Sequence, residues 1–169
     1  MFTVILVCSN LGKLLSTRKE TSVWPNGLIL KNNFVNEEEE KKLLELTKLE
    51  TQSSQLKNRT VKHYGFEFQY GSNKVNRNPL QDNIPVEMNP LLEKFMEIGL
   101  PQPNQLTVNH YIPGQGTPLH TDTHESFEDG IISLSLGSDT VMDFKHPDGM
   151  HTGVTLPRRS CLIMTKESR

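Results

Sequence analysis

His120 and Asp122 stand two residues apart, a spacing that turns both side chains to one side of an extended segment. A neutral imidazole and a carboxylate make two-thirds of the two-histidine, one-carboxylate set that holds Fe(II) and leaves coordination positions open. The pair follows a turn, Pro113-Gly114-Gln115-Gly116-Thr117-Pro118, and the turn follows the apolar run Leu106–Ile112. If that run is a strand, Thr107, Asn109 and Tyr111 share one face, and Leu106, Val108, His110 and Ile112 share the other. An amide and a phenol on one face can hydrogen-bond a small carboxylic acid. A strand with one wet face would show the same pattern.

His124 extends the motif to His-x-Asp-x-His. Three successive same-face ligands do not wrap one octahedral ion comfortably, so His124 reads as having a separate or a surface role. His146 and His151 fall at a hairpin turn and read as exposed. A Gly-rich phosphate loop, a Cys-x-x-Cys pair and a nucleophile elbow are all lacking.

The elements that must position these residues are legible in part. Asn36 is a good N-cap, Glu39 follows three residues on, and Leu43, Leu44, Leu46 and Leu49 form a helical stripe. The four glutamates at positions 37–40 suit the solvated start of that helix better than an acidic docking patch. Residues 60–70 are aromatic and β-branched and read as strands broken at Gly65, with loops on either side. Asn89 reads as the cap of a second helix, Pro90 as its first residue, and Gly99 as its end. From residue 106 onward, short apolar runs alternate with Gly, Pro and Asp: Ile131–Leu136, Val141–Phe144, Val154–Leu156 and Cys161–Thr165. Helices followed by short strands suggest an α+β arrangement, with helices flanking a β-sandwich or small barrel.

A chain of 169 residues suits one domain. A net charge of −2 supplies no global basic field for nucleic acid, so any such binding needs a local patch. Arg59, Lys62, His63 and Tyr64 are the candidates, and an ordinary strand with a basic outer face fits them too. Cys8 and Cys161 lie too far apart in sequence to suggest a zinc spacing or a disulfide framework. The apolar run Phe2–Cys8 has no basic residue before it and no cleavage site after it. With no membrane span in view, the expectation is a soluble intracellular protein, cytoplasmic and/or nuclear. Residues 1–24 are otherwise unassigned, and residues 25–169 read as one domain.

Asn109-x-Tyr111 and His120-x-Asp122, joined through Tyr-x-Pro-Gly, resemble the AlkB family of Fe(II)/2-oxoglutarate dioxygenases. The run from Phe127 through Ile132-Ser-Leu-Ser-Leu-Gly137 to Phe144-Lys-His-Pro-Asp-Gly149 resembles the tRNA-acting branch of that family more specifically, with Leu156-Pro-Arg-Arg-Ser160. The likeness is dense from about residue 105 onward and fainter over residues 25–70.

The resemblance implies a double-stranded β-helix (jelly roll) with flanking N-terminal helices. Its implied cofactors are Fe(II) and 2-oxoglutarate, with oxygen as co-substrate, and its implied substrate is a modified wobble uridine in tRNA. His120 and Asp122 are the implied iron ligands and catalytic pair. Asn109 and Tyr111, with His110 between them, are the implied 2-oxoglutarate residues, and His124 is an implied structural zinc ligand. The distal iron-binding histidine, the carboxylate-gripping arginines, the zinc cysteines and the last jelly-roll strands are expected beyond Arg169. The family branch's RNA-recognition domain, which precedes the oxygenase, and its methyltransferase, which follows it and is a candidate partner, are expected outside these residues. The 169 residues alone are therefore expected to hold Fe(II) weakly and not to turn over 2-oxoglutarate. Two other readings are a catalytically silent module that binds RNA or a partner, and a cupin-type metal-binding jelly roll.

Overall fold

Asn36 starts the first helix, α1 (Glu37–Leu46). Its Oδ1 accepts from the Glu39 amide at 2.9 Å, while Glu39 Oε2 accepts from the Asn36 amide at 2.7 Å. This reciprocal pair satisfies two amides that the first helical turn leaves without partners. The second helix, α2 (Asn89–Glu97), starts differently from the sequence expectation. A 3₁₀ turn over Val86–Met88 runs straight into it, so Asn89 is its first residue and no side chain caps it. At its far end the Gly99 amide donates to Met96 O and the Leu100 amide to Phe95 O, both at 2.9 Å. Gly99 adopts φ +85°, which completes a Schellman stop.

The computed structural model describes residues 2–8, 25–48, 54–69, 74–75, 80, 82–100, 102–122 and 130–168. In chain order its strands are β1 (Phe2–Cys8), β2 (Leu28–Lys31), β3 (Ser54–Leu56), β4 (Arg59–Tyr64), β5 (Phe68–Gln69) and β6 (Lys74–Val75). After α2 come β7 (Pro103–His110), β8 (Ile131–Leu136), β9 (Thr140–Lys145), β10 (His151–Leu156) and β11 (Cys161–Met164). Seven of them form one sheet in the order β2-β11-β8-β1-β7-β4-β3. Every neighbouring pair in it is antiparallel. β9 and β10 form a separate antiparallel hairpin, and β5 and β6 a short ladder.

The segment that sequence reasoning leaves unassigned thus supplies a central strand. β1 pairs with β7 on one side and β8 on the other, aligning Thr3 with both Asn109 and Ser135. Ile5 aligns likewise with Thr107 and Ser133. The first regular element of this α+β chain is therefore a strand, ahead of both helices.

Period-2 alternation gives the sheet two apolar faces. On one, Leu106, Val108, Ile132, Leu134, Leu136 and Ile163 pack with Leu43 of α1 and Leu91, Leu92 and Phe95 of α2. Phe34 stacks on Phe95 with ring centroids 5.2 Å apart. On the other face Ile131, Leu162 and Met164 pack beneath Met142, Phe144 and Val154 of the β9–β10 hairpin. Asn109 lies on this second side, in register through Thr3 with Ser135. Gly65 breaks the strand after β4, as its sequence position suggests. At φ +80°, any Cβ there would lie 2.4 Å from Asn104 O.

Tertiary contacts overturn one reading of the α1 start. Glu40 is not solvated: it is fully buried. Its carboxylate accepts from Arg158 Nε at 2.7 and 2.8 Å and from the Gly137 amide at 2.8 Å. It therefore ties α1 to the end of β8 and to the turn before β11. Glu37 and Glu39 also pair away from the helix, with Arg159 and Lys94. Glu38 alone of the four pairs within α1, with Lys42.

Candidate active site

β7 delivers Asn109 to the hairpin-facing side of the sheet, where it is 3% exposed. Register continues that row across the sheet: Val61 of β4, Asn109 of β7, Thr3 of β1 and Ser135 of β8 stand in line. Two residues along runs the parallel row His63, Thr107, Ile5, Ser133. The hydroxyls of Ser133 and Ser135 are buried and lack a hydrogen-bond partner among the described residues. A buried hydroxyl without a partner is costly, and a polar ligand lying over this row relieves that cost. Sequence reasoning did not single out these serines. Their alternation with Ile132, Leu134 and Leu136 was the available signal, because small polar residues at every second position mark one face.

After β7 the chain turns at Pro113-Gly114 and returns Thr117 to Tyr111. The Tyr111 phenol oxygen lies 2.8 Å from Thr117 Oγ1, and Thr117 Oγ1 accepts from Arg59 Nη1 at 3.0 Å. Three residues further on, His120 Nδ1 lies 2.8 Å from the Pro118 carbonyl. That acceptor requires a proton on Nδ1, which leaves Nε2 as the ring's lone-pair donor in the neutral imidazole. Nε2 lies 3.5 Å from Asp122 Oδ1. The arrangement suits a metal-binding histidine, whose second ring nitrogen is commonly fixed by a backbone carbonyl. The hydrogen bond to Asp122 holds the His120 pKa above the ordinary histidine value, opposed by burial and by the nearby Arg59 charge.

Among the described residues no group of three or more His, Cys, Asp and Glu converges on one point. The pair therefore stands as two donors. His124 lies outside the described residues, and so does the start of the run at Phe127. Cys161 is buried in the helix-side core.

His110 does not join Asn109. Alternation along β7 puts it on the helix side, in register with Thr60 of β4 and Phe2 of β1. Nor do Arg59, Lys62, His63 and Tyr64 share a surface, because they alternate along β4. Tyr64 belongs to the helix-side core, and Lys62 Nζ lies 4.8 Å above its ring. His63 turns to the site side, where its Nδ1 lies 2.8 Å from Thr107 Oγ1. Burial, aided by the Arg59 charge, lowers its pKa to about 4 and keeps the ring neutral at pH 7. Arg59 is on the same face and reaches Thr117.

His146 lies 2.8 Å from Asp148 and 3.5 Å from Glu167, and His151 lies 3.3 Å from Asp143. Both belong to the β9–β10 hairpin and its flanks, in carboxylate contacts apart from the His120–Asp122 pair.

Comparison with known proteins adds the family. The profile of the 2OG-Fe(II) oxygenase superfamily matches residues 16–169. The chain is 50% identical over 154 residues to the tRNA (carboxymethyluridine(34)-5-O)-methyltransferase ALKBH8 of Macaca fascicularis, covering 86% of this chain and 23% of that protein. It is 34% identical over 168 residues to the alkylated DNA repair protein ALKBH8 homolog of Arabidopsis thaliana, covering 85% and 48%. It is 28% identical over 148 residues to the uncharacterized protein L905 of Acanthamoeba polyphaga mimivirus, covering 85% and 70%. The chain thus spans less than half the length of the two ALKBH8 relatives.

Proposed function

The chain belongs to the 2OG-Fe(II) oxygenase superfamily, and from that premise we propose that it hydroxylates the carboxymethyl-type side chain of a modified wobble uridine in tRNA. The observation that carries this reading is the His120–Asp122 pair, with Nδ1 committed to Pro118 and Nε2 turned to the carboxylate. In this reading His120 and Asp122 hold Fe(II), and the seven-stranded sheet and the β9–β10 hairpin are the two walls of a double-stranded β-helix. Fe(II) with 2-oxoglutarate supplies oxygen activation. The chain's own residues bind and orient: Asn109 and Tyr111 receive the oxo-acid, and the buried Ser133 and Ser135 hydroxyls lie on the same wall.

The tRNA substrate is supported by the printed activity of the 50%-identical relative, which concerns carboxymethyluridine 34. Methyl transfer is that relative's named reaction, whereas the superfamily matched here is an oxygenase. The two chemistries are complementary on one nucleoside, and a methyltransferase fits as the partner. Among the described residues no helix is long and apolar enough to cross a membrane. We place the reaction where tRNA is found, in the cytoplasm and/or nucleus.

The test is mass spectrometry of anticodon nucleosides after tRNA is incubated with the full-length protein, Fe(II) and 2-oxoglutarate. The expected product gains one oxygen with stoichiometric succinate release, and both are lost in His120→Ala and Asp122→Ala. Succinate release with the wobble nucleoside unchanged removes the substrate assignment. A protein that binds iron and 2-oxoglutarate yet releases no succinate points instead to the silent RNA- or partner-binding module.

A further inference from the structure

We infer that Arg59 and Thr117 are positioning residues for the Tyr111 phenol, forming a relay of hydrogen-bond donation that runs from the guanidinium through the threonine to the co-substrate carboxylate. The inference rests on the oxygenase reading above and assigns roles to two residues outside the Asn109–Tyr111 and His120–Asp122 motifs.

The polarity follows from what each group can do. An arginine can only donate, so Thr117 Oγ1 is the acceptor of the 3.0 Å contact with Arg59 Nη1. A threonine hydroxyl has one proton, and the Tyr111 oxygen lies 2.8 Å away. When Thr117 gives that proton to Tyr111, the phenol donates its own proton onward. An anionic carboxylate at the site is the acceptor that selects this direction over its reverse. Donors in series polarise one another, so the arginine charge strengthens the last link without touching the ligand.

Placement agrees with this role. Arg59 is two residues from Val61, which registers with Asn109, so strand alternation puts Arg59 on the Asn109 face. Its charge adds to the burial that lowers the His63 pKa, as expected of a cation on the site side of the sheet. Thr117 sits on the turn that returns the chain from Tyr111 toward His120, so one hydroxyl couples the β7 end of the site to its metal end.

The test is 2-oxoglutarate binding to the full-length Mn(II)-loaded protein, measured as a dissociation constant by calorimetry, with Mn(II) affinity measured separately. Thr117→Val is expected to weaken 2-oxoglutarate binding roughly tenfold, the effect of one lost charge-assisted hydrogen bond. Arg59→Gln should do the same, Thr117→Ser should stay within about twofold of wild type, and Mn(II) affinity should not change. The double variant should be no worse than either single, since both residues act through one relay. If Tyr111→Phe weakens binding while Thr117→Val and Arg59→Gln do not, the relay is overturned and the oxygenase reading stands. If Tyr111→Phe also has no effect, or wild type binds Mn(II) but not 2-oxoglutarate, the placement of the co-substrate fails and the relay with it.

Discussion

His120 Nε2 faces Asp122 Oδ1 across 3.5 Å, while the other ring nitrogen is anchored on the Pro118 carbonyl. The backbone carbonyl thus orients the ring, with its second nitrogen beside the carboxylate. Losing a partner that only orients a metal ligand costs about 10- to 100-fold in metal affinity. In the oxygenase reading proposed above, His120→Ala and Asp122→Ala remove ligands themselves, so each should weaken Fe(II) binding by at least roughly 100-fold. Equilibrium dialysis checks this.

Glu40 should behave as a structural acid clamp. Burial pushes its carboxyl up, but the hydrogen bonds from Arg158 and the Gly137 amide outweigh burial and hold it below its ordinary value of 4.5. A depressed folded-state pKa gives stability that is complete above the unfolded value and is lost as pH falls through the folded one. Wild type should therefore lose this contribution progressively below pH 4.5, and Glu40→Gln should lack that dependence. At pH 7, Glu40→Ala should destabilise by about 2–3 kcal/mol, because Arg158 and the Gly137 amide both lose their charged acceptor. Urea denaturation across pH measures both effects.

His63 should produce a separate acid transition. Its pKa is lowered from 6.5 to about 4, so between those values the unfolded chain binds a proton that the folded chain refuses. Stability should fall as pH drops from 6.5 toward 4, by no more than about 1.4 kcal/mol per pH unit. His63→Gln should flatten that part of the profile while leaving the Glu40 transition in place.

β1 should be indispensable to the sheet. Proline cannot donate to a ladder and is confined to edge strands, yet Ile5 is paired on both sides. Ile5→Pro should part β7 from β8 and accelerate hydrogen exchange at Leu106–Asn109 and Ile132–Leu136. Unchanged protection there would mean that the two strands do not depend on β1.

The residues that declared themselves in sequence did so through short-range geometry. The Asn36–Glu39 capping box, the Gly99 stop and the shared side of His120 and Asp122 depend on partners two to five positions away. The second helix start was misjudged because Asn89 has the type of a cap but follows a 3₁₀ turn, and residue type does not reveal the incoming backbone direction.

By itself, then, the sequence determined the start of α1, the stop of α2, most of the strands and the His120–Asp122 motif. Alternation also divided each strand into two faces, so Asn109 and His110 were separable in advance. Only the tertiary structure decided which residues stand across from one another. It put β1 between β7 and β8, buried Glu40 against Arg158, set Ser133 and Ser135 on the Asn109 wall and brought Arg59 to Thr117. Each pairing joins residues tens of positions apart, and a strand's own pattern fixes which side faces a core but not which strand lies beside it.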